Sequence, residues 1–234
     1  MALHLVMMGP PGAGKGTQAE RFAREHGIPR ISTGDILREA VSAGTELGQA
    51  VKASLDRGEL VSDELIIGIV RERLARPDAA AGWVLDGFPR TVPQARALDE
   101  MLDGRAPLVV VEIQVPDEEL VRRVRGRRIC ASCGTTVSAF NADPARMEKC
   151  QVCGGRLVPR SDDNEGVVRD RLKVYWRDTR PMIAYYHERP TYRAVNGAQA
   201  PEQVRQALVT AVASALGRTP ADLPAAGGTV EPGA

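Results

Sequence analysis

Aromatic side chains are scarce: Phe, Tyr and Trp make up 4% of the 234 residues. Proteins that bind single-stranded nucleic acid stack bases on such rings, so the scarcity argues against that class. Charge of one sign is also missing. With 31 Lys plus Arg against 30 Asp plus Glu the net charge is +1, too small to create a global basic field for nucleic acid or membrane. No apolar run approaches the roughly 18 residues of a membrane-spanning helix. Met1–Met8 lacks the basic start and the length of a secretory signal. Cysteine is limited to 4 residues, all between positions 130 and 153, whereas a disulfide scaffold would spread them along the chain. Lysine is rare as well, 4 against 27 arginines; the abundance of Ala makes codon bias the plain explanation. The expectation is a soluble, cytoplasmic protein.

What is present reads as an ordinary globular chain, 43% hydrophobic and 26% charged. Its length suits one large domain, or one domain with insertions. Short apolar runs at 3–8, 83–85, 108–113 and 192–195, with a brief extended piece at 30–32, predict buried strands. Helical stretches at 15–26, 34–43, 46–56, 62–75, 93–102, 117–125, 165–188 and 203–216 separate them. Ser62 before Asp63-Glu64 reads as a helix N-cap, and Pro181 should kink or split the 165–188 helix. Strands alternating with helices predict an α/β fold, a parallel sheet with helices on both faces. Residues 127–163 break the pattern and read as a small inserted β module. The stretch 219–234, rich in Ala, Gly and Pro, reads as a disordered tail.

Gly9-Pro10-Pro11-Gly12-Ala13-Gly14-Lys15-Gly16-Thr17 sits between the first strand and the first helix. This is the G-x-x-x-x-G-K phosphate loop in its required strand–loop–helix context. The glycines let backbone N–H groups converge on phosphate oxygens, the helix N-terminus adds positive potential, and Lys15 reaches the terminal phosphates. The residue after Lys15 is Gly16 and not the usual Ser or Thr, with Thr17 one place later, which suggests that Mg²⁺ is held largely through water. Asp86, at the end of the second long strand, is the candidate carboxylate for that ion.

With this loop, Ser32-Thr33-Gly34-Asp35-Ile36-Leu37-Arg38 and Asp86-Gly87-Phe88-Pro89-Arg90-Thr91, the sequence resembles the nucleoside monophosphate kinases, and among them the adenylate kinases of the long, zinc-containing bacterial type. The resemblance covers about residues 1–217. It implies a P-loop sheet as one kinase domain, 1–218, with a core of 1–31, 62–126 and 165–218, a helical AMP-binding arm at 32–61 and a lid at 127–164. It implies reversible phosphoryl transfer, MgATP + AMP to two ADP, by a monomer that needs no nucleic acid or membrane.

The resemblance also assigns residues. Arg38, Arg90, Arg123, Arg127, Arg160 and Arg171 each match a family arginine, and as a set they would clamp the phosphates. Lys15, Arg90, Arg123, Arg127, Arg160, Arg171 and Asp86 are the expected catalytic set. Gly12 to Thr17, Arg127, Thr136, Val137 and Gln199 would hold ATP. Thr33, Arg38, Glu59, Leu60, Val61, Gly87, Phe88, Pro89, Arg90, Gln94, Arg160 and Arg171 would hold AMP, with the Gln94 amide reading the adenine edge. Asp162 and Asp163 would stand at the lid hinge. No general base is expected, since the acceptor is already an anion, and His4, His26 and His187 read as structural.

Cys130-x-x-Cys133 and Cys150-x-x-Cys153, 16 residues apart, have the spacing of a four-thiolate zinc site. Four thiolates leave no open position, so the expected role is to staple a lid too small for its own core. Two other readings are a kinase for another monophosphate such as CMP or UMP, and a zinc-ribbon nucleic-acid-binding protein with a P-loop domain.

Overall fold

A computed structural model describes residues 2–104, 106–133, 136–138, 148–159 and 165–225. In chain order the first half comprises β1 (Leu3–Met8), α1 (Lys15–His26), β2 (Arg30–Ser32), α2 (Thr33–Ser42), α3 (Glu46–Arg57), α4 (Asp63–Leu74), β3 (Gly82–Asp86) and α5 (Val92–Leu102). The second half comprises β4 (Leu108–Gln114), α6 (Asp117–Arg125), β5 (Arg127–Cys130), β6 (Thr136–Ser138), β7 (Leu157–Pro159), α7 (Glu165–Val174), α8 (Arg180–His187), β8 (Tyr192–Asn196) and α9 (Pro201–Ala215).

Five strands form a parallel sheet in the order β2-β3-β1-β4-β8. Successive side chains on a strand point to opposite faces, and both faces are covered. Leu3, Leu5 and Met7 of β1, with Val109, Val111 and Ile113 of β4, therefore join Phe22 of α1 and Leu208 and Val212 of α9. The intervening Val6, Met8 and Val110 join Ile66 and Val70 of α4, Leu98 of α5 and Met182, Ile183 and Tyr186 of α8. That is why these strands read as continuous apolar runs. From the central β1 the chain goes to one side through β3 and β2, and later to the other through β4 and β8. The carboxyl ends of β1, β3 and β4 thus meet at a topological switch point, where ligands bind in open parallel sheets.

A second, antiparallel sheet, β6-β5-β7, makes the inserted module. Pro181 lies in the first turn of α8, and the helix upstream is interrupted by a π-helical segment, Tyr175–Thr179. Ser62 stands at the N-cap of α4, but among the described residues its side chain makes no capping bond.

The expected tail disorder does not hold for its first part. Residues 220–222 form a 3₁₀ turn, Leu223 is buried in the α1–α9 side of the core, and His26 Nδ1 contacts the Pro224 carbonyl. Burying the large apolar side chain of Leu223 against the core favours order in this short piece of the tail. Residues 226–234 lie outside the described residues.

Candidate active site

The phosphate loop is shaped by glycine where nothing else fits. Gly9, Gly12 and Gly14 have positive φ, +136°, +88° and +94°. A Cβ at Gly9 would sit 2.4 Å from the Ile113 carbonyl oxygen, and one at Gly12 would sit 2.7 Å from Val124. The loop therefore lies flat on β4 and α6 before α1 begins. Gly14 is the N-cap of α1 and brings no side-chain cap, so the first N–H groups of the helix face the loop and suit an anion.

Lys15 Nζ donates to the Gly9 and Pro10 carbonyls at 2.7 and 2.9 Å. Burial lowers its pKa to about 7; Asp86 opposes the shift, while the guanidiniums of Arg90, Arg171 and Arg127 add to it. The charges of Arg90, Arg171 and Arg127, carried by the β3–α5 loop, α7 and β5, thus all act on Lys15 in the P-loop.

Asp86 ends β3 and is buried. Its Oδ2 accepts from Arg30 Nη2 at 2.8 Å, and the same nitrogen lies 2.9 Å from Asp35 Oδ2. Burial alone would raise the Asp35 pKa, but Arg38 and Arg30 hold it below its ordinary value. Gly16 permits this arrangement: a Cβ there would lie 3.2 Å from Asp86 Oδ2 and 3.3 Å from Arg30 Nη2. Sequence reasoning saw Arg30 only as the start of a short strand. No local motif marks it, because its partners come from β3 and α2.

Two adjoining cavities, about 550 and 560 Å³ including their open mouths, flank the cluster and share Gly58, Leu60, Gly87, Arg90 and Arg171. Thr33, Arg38, Glu59, Leu60, Val61, Gly87, Arg90, Gln94 and Arg171 all line the first, together with Leu37, Leu55 and Ile66, which the motif reading missed. They lie within the predicted helices, and no motif marks them as cavity lining. Thr33 Oγ1 and Arg90 Nε both donate to the Gly87 carbonyl, at 2.9 and 2.8 Å. Gly87 has φ +85°, and a Cβ would press on Arg90 at 2.9 Å. Arg171 runs over Gly58, whose Cβ would meet its Cγ at 2.6 Å. Glu59 spends its carboxylate on Arg57, at 2.7 and 2.9 Å. Phe88 departs from expectation. It is buried in the core beside α5, while Pro89 lines the second cavity.

The second cavity is lined by Lys15, Gly9 and Pro11 on one side and by Tyr175, Thr179 and Met182 on the other. Arg123 is half-buried on α6, where its Nε donates to Glu119 at 2.8 Å. Gln199 is exposed in the turn between β8 and α9. Val137 packs on the cysteine cluster, so its apolar side chain serves the module's interior. Arg160, Asp162 and Asp163 lie outside the described residues, as does the side chain of Thr136.

The four cysteine sulfurs of the inserted module lie within 4.8 Å of one another. Cys130–Cys153 and Cys133–Cys150 are 3.5 and 3.6 Å apart. Tetrahedral thiolates about 2.3 Å from one zinc ion stand about 3.8 Å apart, so the set fits that metal. The spacing is far beyond the ~2.05 Å of a disulfide. Tight knuckle turns hold the sulfurs: Gly154 N–H donates to the Cys150 carbonyl at 2.8 Å, and a Cβ on Gly155 would crowd Cys130 Sγ at 2.9 Å. Among the described residues, no helix is long and apolar enough to cross a membrane.

The family model described as Adenylate kinase matches residues 7–191. The chain is 50% identical over 197 residues to the adenylate kinase of Archaeoglobus fulgidus, covering 83% of this chain and 91% of that protein. It is 49% identical over 217 residues to an adenylate kinase of Rhizobium etli, covering 92% of this chain and 100% of the relative. For the adenylate kinase of Symbiobacterium thermophilum the identity is 49% over 212 residues, 90% and 98% of the two chains. A matched family over most of the domain and a P-loop kinase fold agree: the chain belongs to the adenylate kinase family of nucleoside monophosphate kinases.

Proposed function

We propose that the protein catalyses the reversible transfer MgATP + AMP to two ADP. The observation that carries this reading is the pair of cavities sharing Arg90 and Arg171, with Lys15 lining the second. The first cavity takes AMP, with Gln94 and Thr33 at its base end and Arg38, Arg90 and Arg171 toward its phosphate. The P-loop takes the phosphates of ATP. The attacking AMP phosphate oxygen forms a bond to the γ-phosphorus of ATP as the bond to the β–γ bridging oxygen breaks, leaving ADP on each side.

The acceptor is an anion already, so no side chain has to remove a proton. The work of the chain is to align two anions and offset their repulsion. Lys15, Arg90 and Arg171 supply fixed charge there, and Arg127 adds to it from the module. Asp86, beside Gly16 and Lys15, is the carboxylate that would hold Mg²⁺, which would supply further positive charge to offset that of the phosphates. Cys130, Cys133, Cys150 and Cys153 would hold one structural zinc. Residues 127–164 act as a lid that excludes water, so the phosphoryl group reaches AMP and not solvent. Residues 32–61 form the acceptor arm, and the protein works as a cytoplasmic monomer without nucleic acid.

The test is ADP formation from MgATP with AMP, CMP, UMP or GMP as parallel acceptors. Turnover with AMP alone supports the reading. Turnover with GMP or UMP instead overturns the assignment of Gln94, turnover with CMP instead overturns AMP as the acceptor, and no transfer from folded, zinc-loaded protein overturns the enzymatic reading.

A further inference from the structure

Gln94 is buried and lines the first cavity, and its amide is held from two sides. Its Oε1 accepts from the Arg90 backbone N–H at 2.8 Å, and its Nε2 donates to Asp63 Oδ1 at 2.7 Å. The other Asp63 oxygen accepts from Thr91 Oγ1 at 2.9 Å, while Thr91 Oγ1 also caps α5 by accepting from Gln94 N–H at 3.3 Å. A backbone N–H only donates and a carboxylate only accepts, so the two partners permit one orientation of the amide and oppose its 180° flip. One lone pair on Oε1 and one hydrogen on Nε2 remain for a ligand.

The orientation has a chemical meaning. The edge of adenine presents an acceptor at N1 and a donor at the 6-amino group. Hypoxanthine and guanine present the reverse, a donor at N1–H and an acceptor at O6. An amide fits either edge by flipping, so a free glutamine is a poor judge between them. We propose that Asp63 is a specificity-determining, positioning residue: by fixing the Gln94 amide it admits 6-aminopurine monophosphates and rejects 6-oxopurine ones. The proposal rests on the reading of the first cavity as the AMP site. Cytosine presents the same acceptor and donor order as adenine, so this device does not separate AMP from CMP.

Asp63→Asn is the informative variant. It keeps the volume and pairs with either amide orientation, so it removes the Asp63 share of the bias and leaves only the Arg90 N–H opposing the flip. The measurement is kcat/KM for AMP, IMP and CMP with saturating MgATP; ratios between acceptors cancel any change in folded fraction. The AMP:IMP ratio should fall about tenfold, mainly through KM, as expected when a polar orientation constraint is lost. The AMP:CMP ratio should stay within about twofold, and Asp63→Asn should change neither ratio in a Gln94→Ala background. An AMP:IMP ratio left at the wild-type value by Asp63→Asn, while Gln94→Ala collapses it, overturns the role of Asp63 alone. A ratio left intact by Gln94→Ala overturns the base-reading role of Gln94 and the proposal with it.

Discussion

Arg30 Nη2 lies 2.8 Å from Asp86 Oδ2, joining the first residue of β2 to the last of β3 immediately beneath the phosphate loop. The same guanidinium reaches Asp35 at the start of α2, so one side chain ties the core to the acceptor arm. Removing it leaves a buried carboxylate without its cation. Arg30→Met should cost about 2–3 kcal/mol, toward the lower end of the range for a broken buried pair because Asp35 is half exposed. Urea unfolding measures this. An unchanged midpoint and slope would show the pair to be energetically silent.

Lys15 gives a pH signature. Its pKa is lowered to about 7, against an ordinary value of 10.5. Above about pH 7 the unfolded chain keeps a proton on this side chain that the folded chain has released, so its contribution to stability increases as pH rises from about 7 to 10. The slope is at most about 1.4 kcal/mol per pH unit. Stability of the wild type minus that of Lys15→Met should therefore rise across this window. A flat difference refutes the shift. Phosphate restores the ammonium, so ADP binding near pH 8 should take up about one proton, readable by calorimetry in buffers of different ionisation enthalpy.

Gly16 should separate activity from stability. A methyl group there comes within 3.2 Å of Asp86 and 3.3 Å of Arg30. Both are side chains able to give way, so Gly16→Ala should alter stability by less than about 1 kcal/mol. The displaced Asp86 should nonetheless lower kcat/KM for MgATP by about tenfold. Equal losses in stability and activity would point to a general packing fault.

The cysteine cluster predicts about one zinc per chain by elemental analysis. Cys130→Ser should lose the ion and lower the melting temperature, with residual phosphoryl transfer retained, because a four-thiolate site has no position open to substrate. Full loss of transfer in a folded variant would assign the metal to the chemistry.

Leu223 tests the ordered part of the tail. It is 6% exposed against the α1–α9 side of the core. Leu223→Ala should destabilise the protein by about 2 kcal/mol, at the low end for buried leucine because the site lies at the surface end of the core. A loss below about 0.5 kcal/mol would mean that the segment rests there without contributing.

The sheet strands and the phosphate loop were legible because their signals are local. β1, β3 and β4 are apolar runs of strand length, and α1 was bounded at Lys15 and His26 by Gly14 and Gly27, both left-handed in the structure. Cysteine spacing marked the metal cluster for the same reason: two knuckle turns need only a few residues each. The caps were not: the sequence reading named Ser62, which makes no capping bond among the described residues, whereas Ser32 caps α2 and Thr91 caps α5.

Sequence alone thus determined the strand–loop–helix phosphate site, the paired cysteines and the alternation that builds a parallel sheet. Each of these depends on residues close enough along the chain to constrain one another's backbone. Tertiary structure decided what depends on distant partners. Strand order carried Arg30 to Asp86, and helix packing set Asp63 against Gln94. Phe88 turned into the core while Leu37, Leu55 and Ile66 turned toward the cavity. Leu223 found its groove on α1 and α9. Those outcomes follow from which surfaces meet, and the chain's linear pattern records which residues are apolar or charged without recording their neighbours.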